Sequence, residues 1–123
     1  MADKEEEGDP DWYPIQHHFG LTSAGVNVYV AVAVGDELIG RHDETKSGQE
    51  ELYLVVAGAA KFELDCEEVR AEAPFVVAVN DSSVMREAHA VAAGTMVVAF
   101  GAEPRERFDS SWESHHFEGV PRA

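Results

Sequence analysis

Six polar residues in three short segments could carry chemistry. They are Arg41, His42, Asp43, Glu51, Tyr53 and Arg86. Histidine and carboxylate groups bind divalent metals or move protons, and guanidinium groups bind carboxylates and phosphates through paired hydrogen bonds. These residue types therefore predict either a metal centre or a pocket for a small ligand, anions included.

The other histidines and the single cysteine give weaker indications of a metal site or a nucleophile. His17–His18 and His115–His116 are doublets, and neighbouring side chains of an extended chain point to opposite faces. We therefore expect both doublets, and His89, at the surface or in packing contacts. Cys66 has no second cysteine to pair with, and its place in a predicted turn indicates an exposed thiol rather than a nucleophile.

Strands must position these side chains, and the apolar pattern predicts several. Val26–Val34 alternates strictly, with valine at every second position, and Glu51–Val56 is rich in β-branched and aromatic residues. Lys61–Asp65 and Glu67–Arg70 predict a hairpin that turns at Asp65–Cys66.

Two further segments are continuous apolar runs. Phe75–Val79 and Thr95–Phe100 have the character of strands that are covered on both faces. No segment has a ten-residue helical period, and the predicted strands recur about every 8 to 12 residues. This pattern favours an all-β sandwich or closed barrel.

The segment Gly48–Asp65 resembles the first signature of the small cupin domain, a jelly-roll barrel. In that signature a glycine, five residues, a His-x-His pair, a short gap, a glutamate, six residues and a second glycine follow in order. Here five residues separate Gly35 from Arg41-His42-Asp43, and six separate Glu51 from Gly58. The resemblance implies a cupin-type double-stranded β-helix, similar to RmlC-like proteins.

The second cupin signature is substituted throughout. Its marked positions fall on Ala73, Val79, Asp81, Val84 and Ala88. The strand rhythm of the family nevertheless continues to residue 104, so the resemblance covers residues 26 to 104 as an indication of fold.

Metal-dependent cupins hold one divalent ion through the His-x-His pair, the glutamate and a later histidine. The resemblance places these ligands at Arg41, Asp43, Glu51 and Val84, and neither an arginine nor a valine has a lone pair for a metal. A register shifted by one residue would instead direct His42 inward beside Glu51, which supplies two ligands.

The same mapping directs Arg86 into the barrel mouth beside Arg41. Two guanidinium groups in one cavity predict a carboxylate or phosphate on the ligand. Alternatively, the two arginines pair with Asp43, Glu51 or Glu87 and only balance buried charge.

We therefore predict a cupin-fold protein that binds a small molecule, including an anionic one, without a metal or other cofactor. The predicted pocket residues are Arg41, Asp43, Glu51, Tyr53 and Arg86. One alternative is a metal-dependent enzyme of the dioxygenase or isomerase type, with His42 and Glu51 as ligands. Another is a non-catalytic accessory or interaction module with a filled barrel.

Charge excludes several partners. The 123 residues include 24 acidic and 9 basic ones, for a net charge of −15, which argues against nucleic acids and anionic membranes. No signal peptide or spanning segment is recognisable, so we expect a cytoplasmic protein.

The predicted domain organisation has three parts. An acidic, disordered tail spans residues 1–11, the barrel spans residues 12–104, and an extension spans residues 105–123. Aromatic residues of the extension, Phe108, Trp112 and Phe117, would pack on the barrel or on a partner subunit. The resemblance to cupins, which pair through their sheets, implies a homodimer.

Overall fold

Antiparallel strands make up most of the fold, which confirms the predicted all-β class. The structure is a computed structural model and describes residues 9–105 and 119–121. The elements are β1 Asp11–Tyr13, α1 Ile15–Phe19, β2 Gly25–Val30, β3 Glu37–His42, β4 Glu50–Ala57, β5 Ala59–Leu64, β6 Glu67–Glu72, β7 Phe75–Val79, β8 Arg86–Ala90 and β9 Met96–Ala102. Among the described residues, no helix is both long enough and apolar enough to span a membrane.

The strands form two sheets. The first sheet has the order β1-β2-β9-β4-β7, and the second has the order β3-β8-β5-β6. The chain crosses between the sheets at every connection from β2 to β9 except that from β5 to β6, as in a jelly roll. Functional residues from distant segments therefore meet between the two sheets.

The core lies between the inward faces of the sheets. Tyr53, Val55 and Val97 from the first sheet and Phe62 and Ala88 from the second are each at most 1% exposed. The rings of Tyr53 and Phe62 lie 5.7 Å apart, centroid to centroid. Burial of an aromatic side chain such as Phe62 stabilises the fold by roughly 1.5–3 kcal/mol.

Among the described residues, the outward side of the first sheet is mostly apolar and partly exposed to solvent. Strand pairing places Val28, Val98, Leu54 and Val76 side by side in one row, and Val76 is 53% exposed. We call this surface the outer apolar face. It consists of Val26, Val28, Val30, Leu52, Leu54, Val56, Val76, Met96, Val98 and Phe100. The two continuous apolar runs are strands as predicted, and within the described part of the chain outward side chains such as Val76 and Phe100 stay partly exposed.

One strand ends earlier than its sequence pattern indicates. β2 stops at Val30, although alternating valines continue to Val34. The carboxylate of Asp36 accepts hydrogen bonds from the backbone N–H groups of Val32 and Ala33, at 2.8 and 3.0 Å. These bonds turn the chain toward β3 and remove the segment from the ladder.

The hairpin turn, the first histidine doublet and the N-terminal segment can also be compared with the predictions. The predicted hairpin turn lies at Asp65–Cys66, where Asp65 has a positive φ of 55° and Cys66 is exposed as predicted. His17–His18 lies in α1 rather than on an extended chain, with both side chains exposed. β1 begins at Asp11, and residues 1–8 of the predicted tail lie outside the described residues.

Most of the C-terminal extension also lies outside the described residues. This applies to Phe108, Trp112, Phe117 and the doublet His115–His116. The three-part division of the chain therefore stays a prediction.

Candidate functional site

An open pocket of about 500 Å³ lies between the sheets, against β2, β4 and β9 on one side and β3 on the other. Its lining includes three glycines, Gly25, Gly40 and Gly101, and a side chain at Gly101 would enter the space beside Gln49 and Glu51. Its polar lining includes Asn27, Tyr29, His42, Glu44, Gln49 and Glu51, together with Tyr53 and Arg41. Small-molecule sites typically have volumes of about 300–1,000 Å³.

Glu51 is the centre of the polar network. It shares the inward face of β4 with Tyr53, because alternate residues of a strand point the same way. One carboxylate oxygen, Oε1, accepts hydrogen bonds from Arg86 Nη1 at 2.8 Å and from the Tyr53 hydroxyl at 2.9 Å. His42 Nε2 lies 3.3 Å from the same oxygen.

Arg86 is completely buried beneath the pocket. Besides the ion pair with Glu51, its Nε and Nη2 donate to the Val84 carbonyl at 3.1 and 2.9 Å. Nη2 also donates to the Asp81 carbonyl at 3.2 Å. A buried guanidinium is tolerated only when its charge and its donors are satisfied, and every nitrogen here has a protein acceptor.

The two tyrosines of the network stay neutral. Burial, and then the negative charge of Glu51, raises the pKa of Tyr53 far above its usual range. The same two causes, in the same order, raise the pKa of Tyr29. Both phenols therefore keep their protons and act as hydrogen-bond donors.

His42 faces two carboxylates. Its Nδ1 lies 2.6 Å from the Gly40 carbonyl, so Nδ1 carries a proton and donates it. Its Nε2 lies 2.9 Å from Glu44 Oε1 as well as 3.3 Å from Glu51 Oε1. Nε2 therefore lies between carboxylate oxygens of the β3–β4 loop and of β4.

Glu44 and Asp43 are held within the β3–β4 loop. Ser47 donates its hydroxyl to Glu44 Oε2 at 2.7 Å. Asp43 accepts bonds from the hydroxyl and the N–H of Thr45, at 2.8 and 3.1 Å, and these bonds lower the pKa of Asp43. Asp43 does not line the pocket.

Arg41 directs its guanidinium to the outside of the second sheet. Its Nη1 lies 3.4 Å from Glu87 Oε1, and the Arg41 side chain is 57% exposed. Glu87 is opposite Glu63 on the neighbouring strand. The hydrogen bond that Glu63 donates to the Glu87 carboxylate when protonated, and then the charge of Glu87, raise the pKa of Glu63. Arg41 contributes to the pocket lining but does not converge with Arg86.

The structure therefore separates the predicted pocket residues into two groups. Glu51, Tyr53 and Arg86 form one network, whereas Arg41 and Asp43 are directed elsewhere. The arginines pair with Glu51 and Glu87, as the charge-balance alternative predicted. The register that places His42 beside Glu51 is the one observed, because the pairing of β3 with β8 shifts before and after Ile39.

Three polar residues of the pocket lining were not predicted from the sequence. Glu44 follows His42 by two positions, a spacing that could have indicated a shared face. Asn27 shares the inward face of β2 with Tyr29, and its Oδ1 accepts the Trp12 indole N–H at 3.0 Å. Gln49 lies just before β4 and carried no comparable signal.

Three side chains of the pocket have the ligand types that a divalent metal prefers, and many cupins bind such a metal. His42, Glu44 and Glu51 offer ligand atoms that all lie within 4.8 Å of one another, so they fit one ion in type and spacing. Arg86 already supplies a positive charge to Glu51 Oε1, however, and competes with a metal for that oxygen. Glu37, Glu87 and His89 form a second such group outside the pocket.

No family model and no curated protein sequence matches the chain, but solved structures do. A cupin protein from Bacteroides fragilis is 14% identical, with a TM-score of 0.69 over 99% of this chain and 98% of that one. KdgF from a Halomonas species is 16% identical, with a TM-score of 0.67 over 86% and 88% of the two chains. An RmlC-like cupin from Desulfovibrio desulfuricans is 16% identical, with a TM-score of 0.66 over 85% and 92%. Together with the two-sheet topology, these similarities identify the chain as a small domain with the cupin jelly-roll fold.

Proposed function

We propose that this cupin-fold domain binds a small polar molecule in the pocket between its sheets and needs no metal to do so. The observation that carries the proposal is the network on Glu51, which holds polar groups in place around an open cavity before any ligand arrives. Groups fixed in this way lose little conformational entropy on binding. An open cavity of about 500 Å³ does not favour an accessory module with a filled barrel.

The anionic ligand expected from two converging arginines has weaker support. Each guanidinium nitrogen of Arg86 already donates a hydrogen bond to a protein acceptor. Arg41 pairs with Glu87 on the outer side of the second sheet. Two carboxylates, Glu44 and Glu51, line the pocket instead. We therefore propose a small-molecule ligand without a preference for anions.

NMR spectroscopy of the ¹⁵N-labelled protein tests the proposal. A library of small metabolites of mixed charge is added at millimolar concentration. Chemical-shift changes should cluster on pocket residues, including the indole N–H of Trp12, which bonds to Asn27. Changes that cluster on residues outside the pocket, or no changes with any compound, would count against a binding function for this cavity.

A metal-dependent enzyme of the dioxygenase or isomerase type is the second candidate. The observation that favours it is the position of His42 Nε2 between Glu44 and Glu51. These three residues would hold the ion. A bound divalent metal would supply Lewis-acid or redox chemistry in the pocket.

Metal analysis separates the two candidates. The purified protein is dialysed against manganese, iron, nickel or zinc salts, and bound metal is then measured. A metal centre requires stoichiometric retention that is lost in His42→Ala and kept in His89→Ala. Loss in His89→Ala alone would assign the metal to the second group of ligands, and the pocket would be metal-free.

We also propose that two copies of this chain pair through their outer apolar faces. The chain carries a charge of −15, yet each of the ten residues of this face is apolar. A second copy offers the same face, so the pairing removes apolar surface from water, and the carboxylates of Asp11 and Glu50 on this side lie toward an edge strand and a strand end. Pairing would also supply the second cover that the continuous apolar runs of β7 and β9 indicate.

A further inference from the structure

We infer that the ligand of the pocket is a neutral, polyhydroxylated molecule of the monosaccharide or cyclic polyol class. The inference rests on the proposed binding function and narrows it to a chemical class. It is argued from the polar atoms that the protein leaves open toward the cavity and from the charges that it has already paired.

Glu51 presents one open acceptor. Its Oε1 is occupied by Arg86, Tyr53 and His42, whereas no donor among the described residues bonds to Oε2. In the same part of the chain, no buried side-chain oxygen or nitrogen lacks a partner, so Oε2 must be reachable from the cavity. A carboxylate oxygen with a free lone pair accepts a hydrogen bond from a hydroxyl group of a ligand.

Hydrogen-bond donors line the same cavity. The Tyr29 phenol lines the cavity and keeps its proton, because burial and the charge of Glu51 raise its pKa. Asn27 uses its Oδ1 for Trp12, which leaves both hydrogens of its amide for a ligand, and the Gln49 amide also lines the cavity. A hydroxyl group both donates and accepts, so a molecule with several hydroxyls suits this mixture of groups.

Apolar surface lies beside the polar groups. Ile39 lines the cavity from β3, and the Tyr29 ring lines it from β2. The ring of a monosaccharide or cyclic polyol has hydroxyls at its edge and carbon-bound hydrogens on its faces. Such a ring can therefore contact these apolar side chains while its edge bonds to Glu51 and the amides.

Paired charges argue for a neutral ligand. Glu51 is balanced by Arg86 at 2.8 Å, and both oxygens of Glu44 already have partners, His42 and Ser47. An anion would meet two carboxylates without a free guanidinium. A cation would gain less from the open oxygen of Glu51 than from an unpaired carboxylate, because Arg86 offsets the charge of Glu51.

Gly101 provides a way to close the site without breaking its network. A Cβ atom added there would lie 3.7 Å from Glu51 Oε2 and 2.8 Å from Gln49 Oε1. The backbone of Gly101 lies in a strand and lacks a positive φ, so alanine is compatible with the fold. The nearest atom it meets is the end of a flexible side chain. Gly101→Ala should therefore place a methyl group in front of the open oxygen.

The test compares matched sugars by saturation-transfer NMR and titration. Glucose, galactose, mannose and myo-inositol represent the neutral class, glucuronate and glucose 6-phosphate the anions, and glucosamine the cations. We expect at least one neutral compound to bind more tightly than its charged counterparts, to weaken about tenfold in Tyr29→Phe, and to lose binding in Gly101→Ala. Tyr13→Phe removes a hydroxyl from a residue that does not line the pocket and should leave binding unchanged.

The outcomes separate the two proposals. A charged sugar that binds best and is lost in Gly101→Ala would overturn the neutral class but keep the pocket as a binding site. Failure of all neutral compounds to bind would also overturn the inference. Binding that survives Gly101→Ala would assign the ligand to another surface and count against both proposals.

Discussion

Glu51 and Arg86 form a buried ion pair whose partners come from different sheets. Arg86 is fully buried and Glu51 is largely so, with 0% and 11% of their side chains exposed. Such a pair contributes little net stability relative to apolar residues, but loss of one partner leaves an uncompensated charge. The Arg41–Glu87 pair has the same chemistry in a solvent-exposed setting.

Arg86→Met should therefore destabilise the protein by about 3–5 kcal/mol, the usual cost of a broken buried pair. Arg41→Met should cost less than about 1 kcal/mol, because exposed pairs are worth little. Urea unfolding followed by circular dichroism measures both values. Equal losses of unfolding free energy in the two variants would contradict the distinction between the buried and the exposed ion pair.

The double variant Glu51→Gln with Arg86→Met should recover part of the stability lost in Arg86→Met, because it removes the stranded carboxylate charge. If the free energies of unfolding lost in Glu51→Gln and in Arg86→Met simply add in the double variant, the two residues act independently, contrary to this prediction.

Asp81 precedes the strand that carries Arg86. The Ser83 hydroxyl donates to its Oδ1 at 2.7 Å and the Ser83 N–H does so at 2.9 Å. These bonds lower the pKa of Asp81 below its ordinary value of 3.8. Because the pKa is lower in the folded state, the stabilising contribution is present above that ordinary value and is lost as the pH falls through the folded value.

Ser83→Ala should therefore raise the pKa of Asp81 toward its ordinary value and move the loss of this contribution to higher pH. An NMR titration of the side-chain carboxyl carbon measures the change. Among the described residues, Ser82, next to Ser83 in sequence, does not hydrogen-bond to the Asp81 carboxylate, so Ser82→Ala serves as the control. An unchanged Asp81 titration in Ser83→Ala would show that the hydroxyl bond is not the main cause.

The turn from β4 to β5 depends on a close approach between Gly58 and Thr95. Gly58 has a φ of +70°, and a Cβ atom there would lie 2.8 Å from Thr95 Cα and closer still to Thr95 Oγ1. Thr95 is fully buried, and its hydroxyl oxygen accepts a bond from the Ala59 N–H at 3.2 Å. The glycine is therefore required by both backbone conformation and space.

Gly58→Ala should cost about 2–5 kcal/mol, from the left-handed backbone and the overpacking against Thr95. Gly94→Ala has a similar φ of +77° with open space around it, so it should cost only about 1–2 kcal/mol. Thermal and urea unfolding compare the two variants. Equal costs would show that the contact with Thr95 relaxes freely.

The distribution of charge and apolar surface over the whole molecule favours association. The outer apolar face spans β2, β9, β4 and β7, and Leu52 and Val76 on it are 36% and 53% exposed. An apolar surface that is continuous across four strands is unusual on a monomer. In a protein with a charge of −15, such a face gives two copies an apolar surface on which to meet.

Leu52→Glu should therefore convert a dimer to a monomer, raising its dissociation constant about 100-fold or more, because an unpaired buried carboxylate costs roughly 3 kcal/mol or more. Sedimentation equilibrium measures the change, and circular dichroism checks that the variant is folded. Thr22→Glu adds the same charge outside the face and should remain dimeric. A monomeric wild-type protein at high micromolar concentration would contradict the dimer.

The apolar pattern was sufficient to predict the all-β class, most strands and the turn at Asp65–Cys66, because a period of two and turn residues are local properties. Glu51 and Tyr53 were also predictable as inward neighbours on one strand. The spacing of glutamate and glycine in β4 carried the resemblance to cupins, and the solved structures agree with that fold.

The composition of the site depended on contacts that no local pattern contains. The pairing of β3 with β8 is irregular, and this changes which residues at the end of β3 face inward. As a result, His42 and Glu44 line the pocket and Asp43 does not. Arg86 is a buried partner of Glu51 only because two sheets bring β8 and β4 together. A one-residue change of register reverses the faces of a strand. The strands could thus be read from short-range periodicity, whereas the chemistry of the pocket was decided by long-range pairing.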